Sequence, residues 1–598
     1  MTGEAAIRYE VCAVAPSTHR ADVRLTVLGT GGRPFDLVVP SWVPGSYWIQ
    51  DRVRNVSDVR GVVPGTEDPA PIERLEKARW RVDPRGRDAA EVRYSVYGNE
   101  LRSALFDLTA EHMFVAAGFF LPYVEGRREE PHDLALVVPD GWTVHTELAQ
   151  VGTDPPTFRA SDYDELVDSP VDCGRPETHT ISPGGVPHRI VLCGSGGNHD
   201  PVRLQSDIGA IVEAAVRLFG DSPLPSYTFF YHLIPQPNQG LEHARSNACV
   251  VAPTVFRPEV SYRSFLALTS HEYLHLYLVK RIRPKVFDRV DYTREVYTRL
   301  LWAMEGTTDY LSHLVLLRAG LLSPEVYLRD TAESIRMYRT LPGRLHQSLE
   351  EASLAAWVDF YHRYEESPNR SISYYVKGDL VSLCLDLELR SRTGGARSLE
   401  TVYRELWRSH GKPMRGIGED ELEGLVASAS GVDVRSFFDD YVRGTKEVDF
   451  ERYLRRAGLT LAPKSIPRRP DEGPEAGYLG VEFEDSGGFA RLTVVRDGSP
   501  AGVAGLSPGD EVVAVDGGKV RFRDVANVLE RYPAGARMEV TVFRRGRLAT
   551  VPVVAGTPPP KELLIAPDPE ADPAARTVHA SWLGTPLTPP KPAPTEPR

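Results

Sequence analysis

In the 598-residue sequence, the run Thr269-Ser270-His271-Glu272-Tyr273-Leu274-His275 holds the residues best suited to chemistry. On a helix, residues four apart lie about 40° apart around the axis, one turn along. His271 and His275 can then offer imidazole nitrogens to one metal ion. Glu272, about 100° round from His271, can take a proton from a water at the ion's open side; this is the mechanical content of HExxH. The competing reading is a helix that happens to carry two of the chain's sixteen histidines. A catalytic zinc also needs a third protein ligand and one open position. Glu305, in the apolar run Leu300–Gly320, is a candidate, because an unpaired carboxylate there is costly. Asp309, four residues on, can accept a hydrogen bond from a ligand histidine and fix its tautomer. His313, a turn further, reads as structural.

Two more stretches add polar chemistry. Gly240-Leu241-Glu242-His243 sets a carboxylate after a glycine that allows close backbone approach. Glu242 can pair with a substrate's α-ammonium, which would fix cleavage one residue from the chain end. Tyr374 and Tyr375 open a helical run. A phenol near a zinc can hydrogen-bond the developing oxyanion, and the sequence does not choose between the two.

The elements that must position these residues fall into blocks. Residues 1–175 alternate apolar and polar residues, as in "RADVRLTVLG", and predict a β-sandwich. Residues 176–462 predict a mostly helical domain, with helices over 261–281, 295–319, 325–340, 375–392, 398–409 and 419–443 and a strand near 227–234. Residues 463–476 have a linker's Pro, Gly and charge content. Short strands return over 477–556, with one helix near 523–531. The Pro-rich tail 557–598 is expected to be disordered, apart from a possible docking role for Trp582.

A net charge of −12 argues against a nucleic-acid partner. The five cysteines form no CxxC pair, which argues against a disulfide framework or a thiolate metal site. No signal-peptide pattern opens the chain and no long uncharged apolar run crosses it, so a cytoplasmic protein without membrane contact is expected.

"PSWVPGSYWIQD", "GLEHARS", "HEYLHLYLVKRIRP", "LLWAMEGTTDY", "SYYVKGDLVSLCLDLELR" and "DDYVRGTKEVDFERYL" occur in that order. Together they resemble the glycyl aminopeptidase family of zinc metallopeptidases, over about residues 5–556. The resemblance implies a multidomain α+β chain: an N-terminal β-sandwich, a mostly helical thermolysin-like gluzincin catalytic domain and a C-terminal PDZ domain. It implies one Zn²⁺ per chain on His271, His275 and Glu305, with Glu272 as general base. It selects Tyr375 over Tyr374, places the substrate's amino terminus at Glu242 and Gly240, and makes Asp309 the outer acid. Gln239 departs from the glycine expected there, which leaves the first-residue preference open.

"AGYLGVEFE" reads independently as a PDZ carboxylate-binding loop at Leu479, Gly480 and Val481, able to take protein C-termini. The expected function is an aminopeptidase that releases small first residues, Gly or Ala, from peptides with a free amino terminus. The rivals are a PDZ-guided endopeptidase, which would cleave amino-blocked peptides, and a non-catalytic PDZ scaffold, which would bind no metal.

Overall fold

The computed structural model describes residues 5–13, 15–464 and 475–587. Most of the expected linker and the last residues of the tail lie outside these. The chain is a multidomain α+β protein with a β-rich N-terminal part, a mostly helical middle and a small, mainly β C-terminal domain. It divides into two compact units. One holds the described residues up to Tyr297 with Leu311–Leu321 and Leu406–Gly418. The other holds Thr298–Tyr310, Leu322–Glu405 and the described residues from Glu419 on.

In the first unit, the N-terminal domain is built from an eight-stranded and two four-stranded sheets. The alternation in Arg20–Leu28 becomes a strict inward–outward pattern, with Val23, Leu25 and Val27 buried. A five-stranded sheet follows over residues 177–251, ordered 177–181, 188–193, 227–233, 246–251 and 239–242. The sequence pattern showed only its central strand, Tyr227–Leu233. That strand is buried at every position and so reads as a continuous apolar run. Helix Glu259–Leu274 packs on this sheet. It ends seven residues earlier than expected, where Val279 takes a positive φ of 63° and Leu278 bridges Ile282.

The second unit holds helices Pro324–Arg339 and Tyr374–Arg392. The helix expected over 419–443 is broken into Leu422–Ser430, Arg435–Phe438 and a π-type turn at Asp439–Arg443. Gly431, at φ 72°, stops the first piece. The strands of the C-terminal domain run in the order 481–486, 489–495, 511–515, 537–544 and 547–554, with 518–519 paired to 511–515, so Val481–Ser486 is an edge strand.

The expected disorder of the tail does not hold for residues 557–587. Leu563–Pro567 pairs with Leu459–Pro463, and helix Pro573–Leu583 buries Trp582 completely beside Tyr327. Composition missed this because the few apolar residues of the tail sit at the spacing of one helix, capped by Asp572 and ended by Gly584. No helix among the described residues is long and apolar enough to cross a membrane.

Candidate metal and substrate site

The first unit carries the histidine pair. Tyr273 anchors the helix to the sheet: its ring packs against Tyr227 and Phe229, and its hydroxyl meets His188 Nε2 at 3.1 Å. One turn back, Thr269 Oγ1 lies 2.9 Å from the Tyr231 hydroxyl. These contacts fix the helix's rotation, so the opposite side carries His271 and His275, whose Nε2 atoms lie 2.8 Å apart. Two imidazole nitrogens aimed at one point form a donor pair of the type zinc takes.

Edge strand Gln239–Glu242 crosses beside the helix. A Cβ on Gly240 would lie 2.0 Å from Glu272 Oε1, so only glycine lets this strand press on the carboxylate. Glu242, Glu272 and His275 are all buried, and their ligand-capable atoms lie within 4.8 Å of one another. Glu242 is 4% exposed, and its Oε1 has no hydrogen-bond partner among the described residues. A buried carboxylate in that condition suits a cationic ligand.

Behind Glu242, the Pro44-Gly45 turn of the N-terminal domain closes in. Gly45 sits at φ 91°, and a Cβ there would lie 2.7 and 2.8 Å from the two Glu242 oxygens and 2.5 Å from Leu241 Cδ1. A cavity of about 360 Å³ opens at this point, lined by Trp42, Gly45, Tyr47, Glu242, Lys280 and Tyr292 among others. The loop after Glu242 is pinned by Asp168, which accepts from Ala244 N at 2.9 Å and from Lys280 Nζ at 2.8 Å, and meets His243 Nδ1 at 3.2 Å. Burial alone would raise the Asp168 pKa, but Lys280 and His243 outweigh it and hold the carboxyl below the usual range.

In the second unit, Glu305 is buried in a π-type turn, Trp302–Gly306. Such widened turns recur at functional sites. Gly306 touches Gly378 of helix Tyr374–Arg392: a Cβ on Gly306 would lie 2.5 Å from Gly378 Cα and 2.7 Å from Tyr374 O. This backbone contact, with a 2.8 Å Thr307–Ser382 hydroxyl pair one turn on, sets the tyrosine turn against the Glu305 turn. Tyr374 is fully buried, whereas Tyr375 is half-exposed and stacks on Phe360. Asp309 follows one turn after Glu305. Burial, and then the Asp309 charge, push the Asp379 carboxyl well above its usual value.

In the PDZ domain, Leu479 is packed in the core, so its backbone rather than its side chain is available to a ligand. Gly480 sits at φ 77°, and its carbonyl accepts from Arg496 N at 2.8 Å. Asn369 grips the neighbours of Arg496, donating to Val495 O and accepting from Asp497 N, each at 3.0 Å.

Buried carboxylates beside an imidazole pair are side chains that could hold a metal ion and move a proton. The family model described as M61 glycyl aminopeptidase matches residues 264–381, the M61 N-terminal domain matches 8–175 and a PDZ domain matches 477–554. The crystal structure of an aminopeptidase N family protein from Idiomarina loihiensis superposes with a TM-score of 0.89 at 28% identity, covering 98% of this chain and 100% of that one. An M1 zinc metallopeptidase from Deinococcus radiodurans gives a TM-score of 0.45 at 15% identity, covering 74% and 93%. No curated protein matches the sequence. The protein is a metallo-aminopeptidase. Its N-terminal and histidine-bearing stretches match the M61 glycyl aminopeptidase models, and its C-terminal stretch matches a PDZ domain.

Sequence reasoning missed Gly45. The only signal available was a Pro-Gly turn in a stretch noted for resemblance alone.

Proposed function

We propose that the chain is a zinc aminopeptidase that removes small first residues, Gly or Ala, from peptides with a free amino terminus. His271, His275 and Glu305 would hold one catalytic ion. The observation that carries this reading is the facing pair of imidazole nitrogens, 2.8 Å apart, with Glu272 and Glu242 buried beside His275. Glu305 is supported by its donor type and its burial in a widened helical turn. Two imidazoles and a carboxylate suit zinc, which supplies Lewis acidity toward water and the first peptide carbonyl.

Glu272 takes the proton of the attacking water and passes it to the leaving amine. Gly240 allows the substrate-side strand to sit directly on that carboxylate. Glu242 pairs with the α-ammonium, and its unpartnered Oε1 supports this role. Tyr375, the half-exposed member of the tyrosine pair, donates to the developing oxyanion. Asp309 orients a ligand histidine. The glycyl description of the matching family supports the preference for a small first residue. At the PDZ domain, Leu479, Gly480 and Val481 would take a protein C-terminus by strand addition, a role supported by the open edge strand Val481–Ser486. Five free thiols, four of them buried, support a reducing cytoplasmic setting.

Glu272→Gln, with metal content measured alongside, is the direct test. The variant should keep its catalytic metal and lose turnover of glycyl and alanyl reporters by at least about 10²-fold. Wild-type turnover would refute the assignment. Cleavage of amino-blocked peptides as fast as free ones would instead favour the endopeptidase reading.

A further inference from the structure

A second cluster of metal-type side chains lies where the N-terminal domain meets the 177–251 sheet, both within the first unit. Strands His112–Val115 and Val171–Gly174 pair so that Phe114 faces Asp172, which sets His112 and Asp172 on one sheet face. In the other sheet, Cys193 and His232 are direct partners on adjacent parallel strands. The two faces meet, with the His232 ring 4.7 Å from Phe114 and 5.3 Å from His112.

Four donors from four strands converge there. Asp172 Oδ2 lies 2.8 Å from His112 Nε2 and 2.9 Å from His232 Nε2, and Asp172 Oδ1 accepts from Cys193 Sγ at 3.1 Å. All four ligand-capable atoms lie within 4.8 Å of one another. Asp172 and His232 are fully buried, and Cys193 is 5% exposed. Asp107 Oδ2 stands 3.9 Å from His112 Nδ1, the place of the outer carboxylate that commonly orients a ligand histidine.

Protons alone satisfy this cluster poorly. One carboxylate would take two N–H groups and an S–H. A buried carboxylate among neutral partners pays a large desolvation cost. A divalent ion changes the sum. Cys193 thiolate, Asp172 carboxylate, two neutral imidazoles and the ion total zero charge. Binding releases the thiol proton of Cys193. Zinc bond lengths of about 2.0–2.3 Å put tetrahedral ligands roughly 3.3–3.8 Å apart, so the three contacts of Asp172 need to open by about 1 Å or less.

We propose that His112, Asp172, Cys193 and His232 bind a second zinc ion, structural rather than catalytic, which fastens the N-terminal domain to the sheet that carries Gly240 and Glu242. Four protein ligands leave no open position, the mark of a structural site. The expected content rises from one zinc per chain to two.

The test is metal analysis of the full chain, with cobalt as a second readout. Wild type should hold two zinc per chain, and His271→Ala and Cys193→Ala one each. Cobalt-loaded wild type should show a near-ultraviolet cobalt–thiolate absorption. His271→Ala should keep that band, since the catalytic ligands include no thiolate, and Cys193→Ser should lose it. The cobalt band is read on folded wild type, so it stands even if Cys193→Ala fails to fold. One zinc per chain in wild type, lost in His271→Ala, with no thiolate band, overturns the proposal. Zinc kept in full by His271→Ala would count against the catalytic assignment instead.

Discussion

Gly45→Ala is the sharpest probe of how Glu242 is held. Gly45 lies in another domain, 197 residues from Glu242 in sequence, and touches no reacting group. An added methyl would sit 2.7–2.8 Å from both Glu242 oxygens, where an ordinary contact begins near 3.4 Å. The carboxylate must therefore retreat by about 0.6 Å, or the turn must move. The turn resists, because φ 91° already costs a non-glycine residue roughly 1–2 kcal/mol. A charge-assisted hydrogen bond to the substrate's ammonium contributes about 1.5–3 kcal/mol. Its loss lowers kcat/KM by about 10- to 150-fold. The ammonium is held in the ground state and the transition state alike, so the loss should fall mainly on KM. The assay is steady-state kinetics on alanyl and glycyl reporters, with zinc content and melting temperature measured on the same preparation. A variant with wild-type metal and kcat/KM within twofold of wild type would refute the role given to Glu242. Loss of metal or fold would show instead that the turn supports structure.

The tyrosine pair and a buried lysine give two further tests. Tyr375→Phe should lower kcat by about 10²–10³-fold with KM little changed, while Tyr374→Phe, in the buried ring, should leave kcat near wild type; equal losses would sink the assignment. Lys377 is fully enclosed beside Gln347 O, and burial lowers its pKa from 10.5 to about 8. Below pH 8 both folded and unfolded chains carry the charge, so the full penalty of about 3 kcal/mol applies; between pH 8 and 10.5 the unfolded state binds more protons, and stability rises with pH. Lys377→Met should therefore stabilise the chain at pH 7 and gain progressively less toward pH 10 in denaturant titrations, and a gain independent of pH would contradict this.

What could be read from the sequence follows how far apart the cooperating residues lie along the chain. His271, Glu272 and His275 share one helical turn, so helical geometry alone predicted that they face one point. The β-rich start was legible because period-two alternation is a local property, and the PDZ domain because its carboxylate-binding loop is one short stretch around Leu479-Gly480-Val481. The end of the histidine helix at Leu274 was not, since it depends on a left-handed Val279 and a bridge to Ile282, which no propensity encodes. Gly240 was legible as a point of close approach but not what approaches it, and Gly45 was not legible at all; each is required because a carboxylate from a distant segment occupies the space of its missing side chain.

The cluster at His112, Asp172, Cys193 and His232 is the extreme case. Metal motifs are recognised by short spacings, and the absence of CxxC argued against a thiolate site. Here the spacings are 60, 21 and 39 residues, and the register of two sheets does the work that a short loop does elsewhere. The same sheets present Glu242 and Gly240 to the histidine helix. A cluster that fixes one sheet against the other would also help hold the Pro44-Gly45 turn against Glu242, the contact that Gly45→Ala tests.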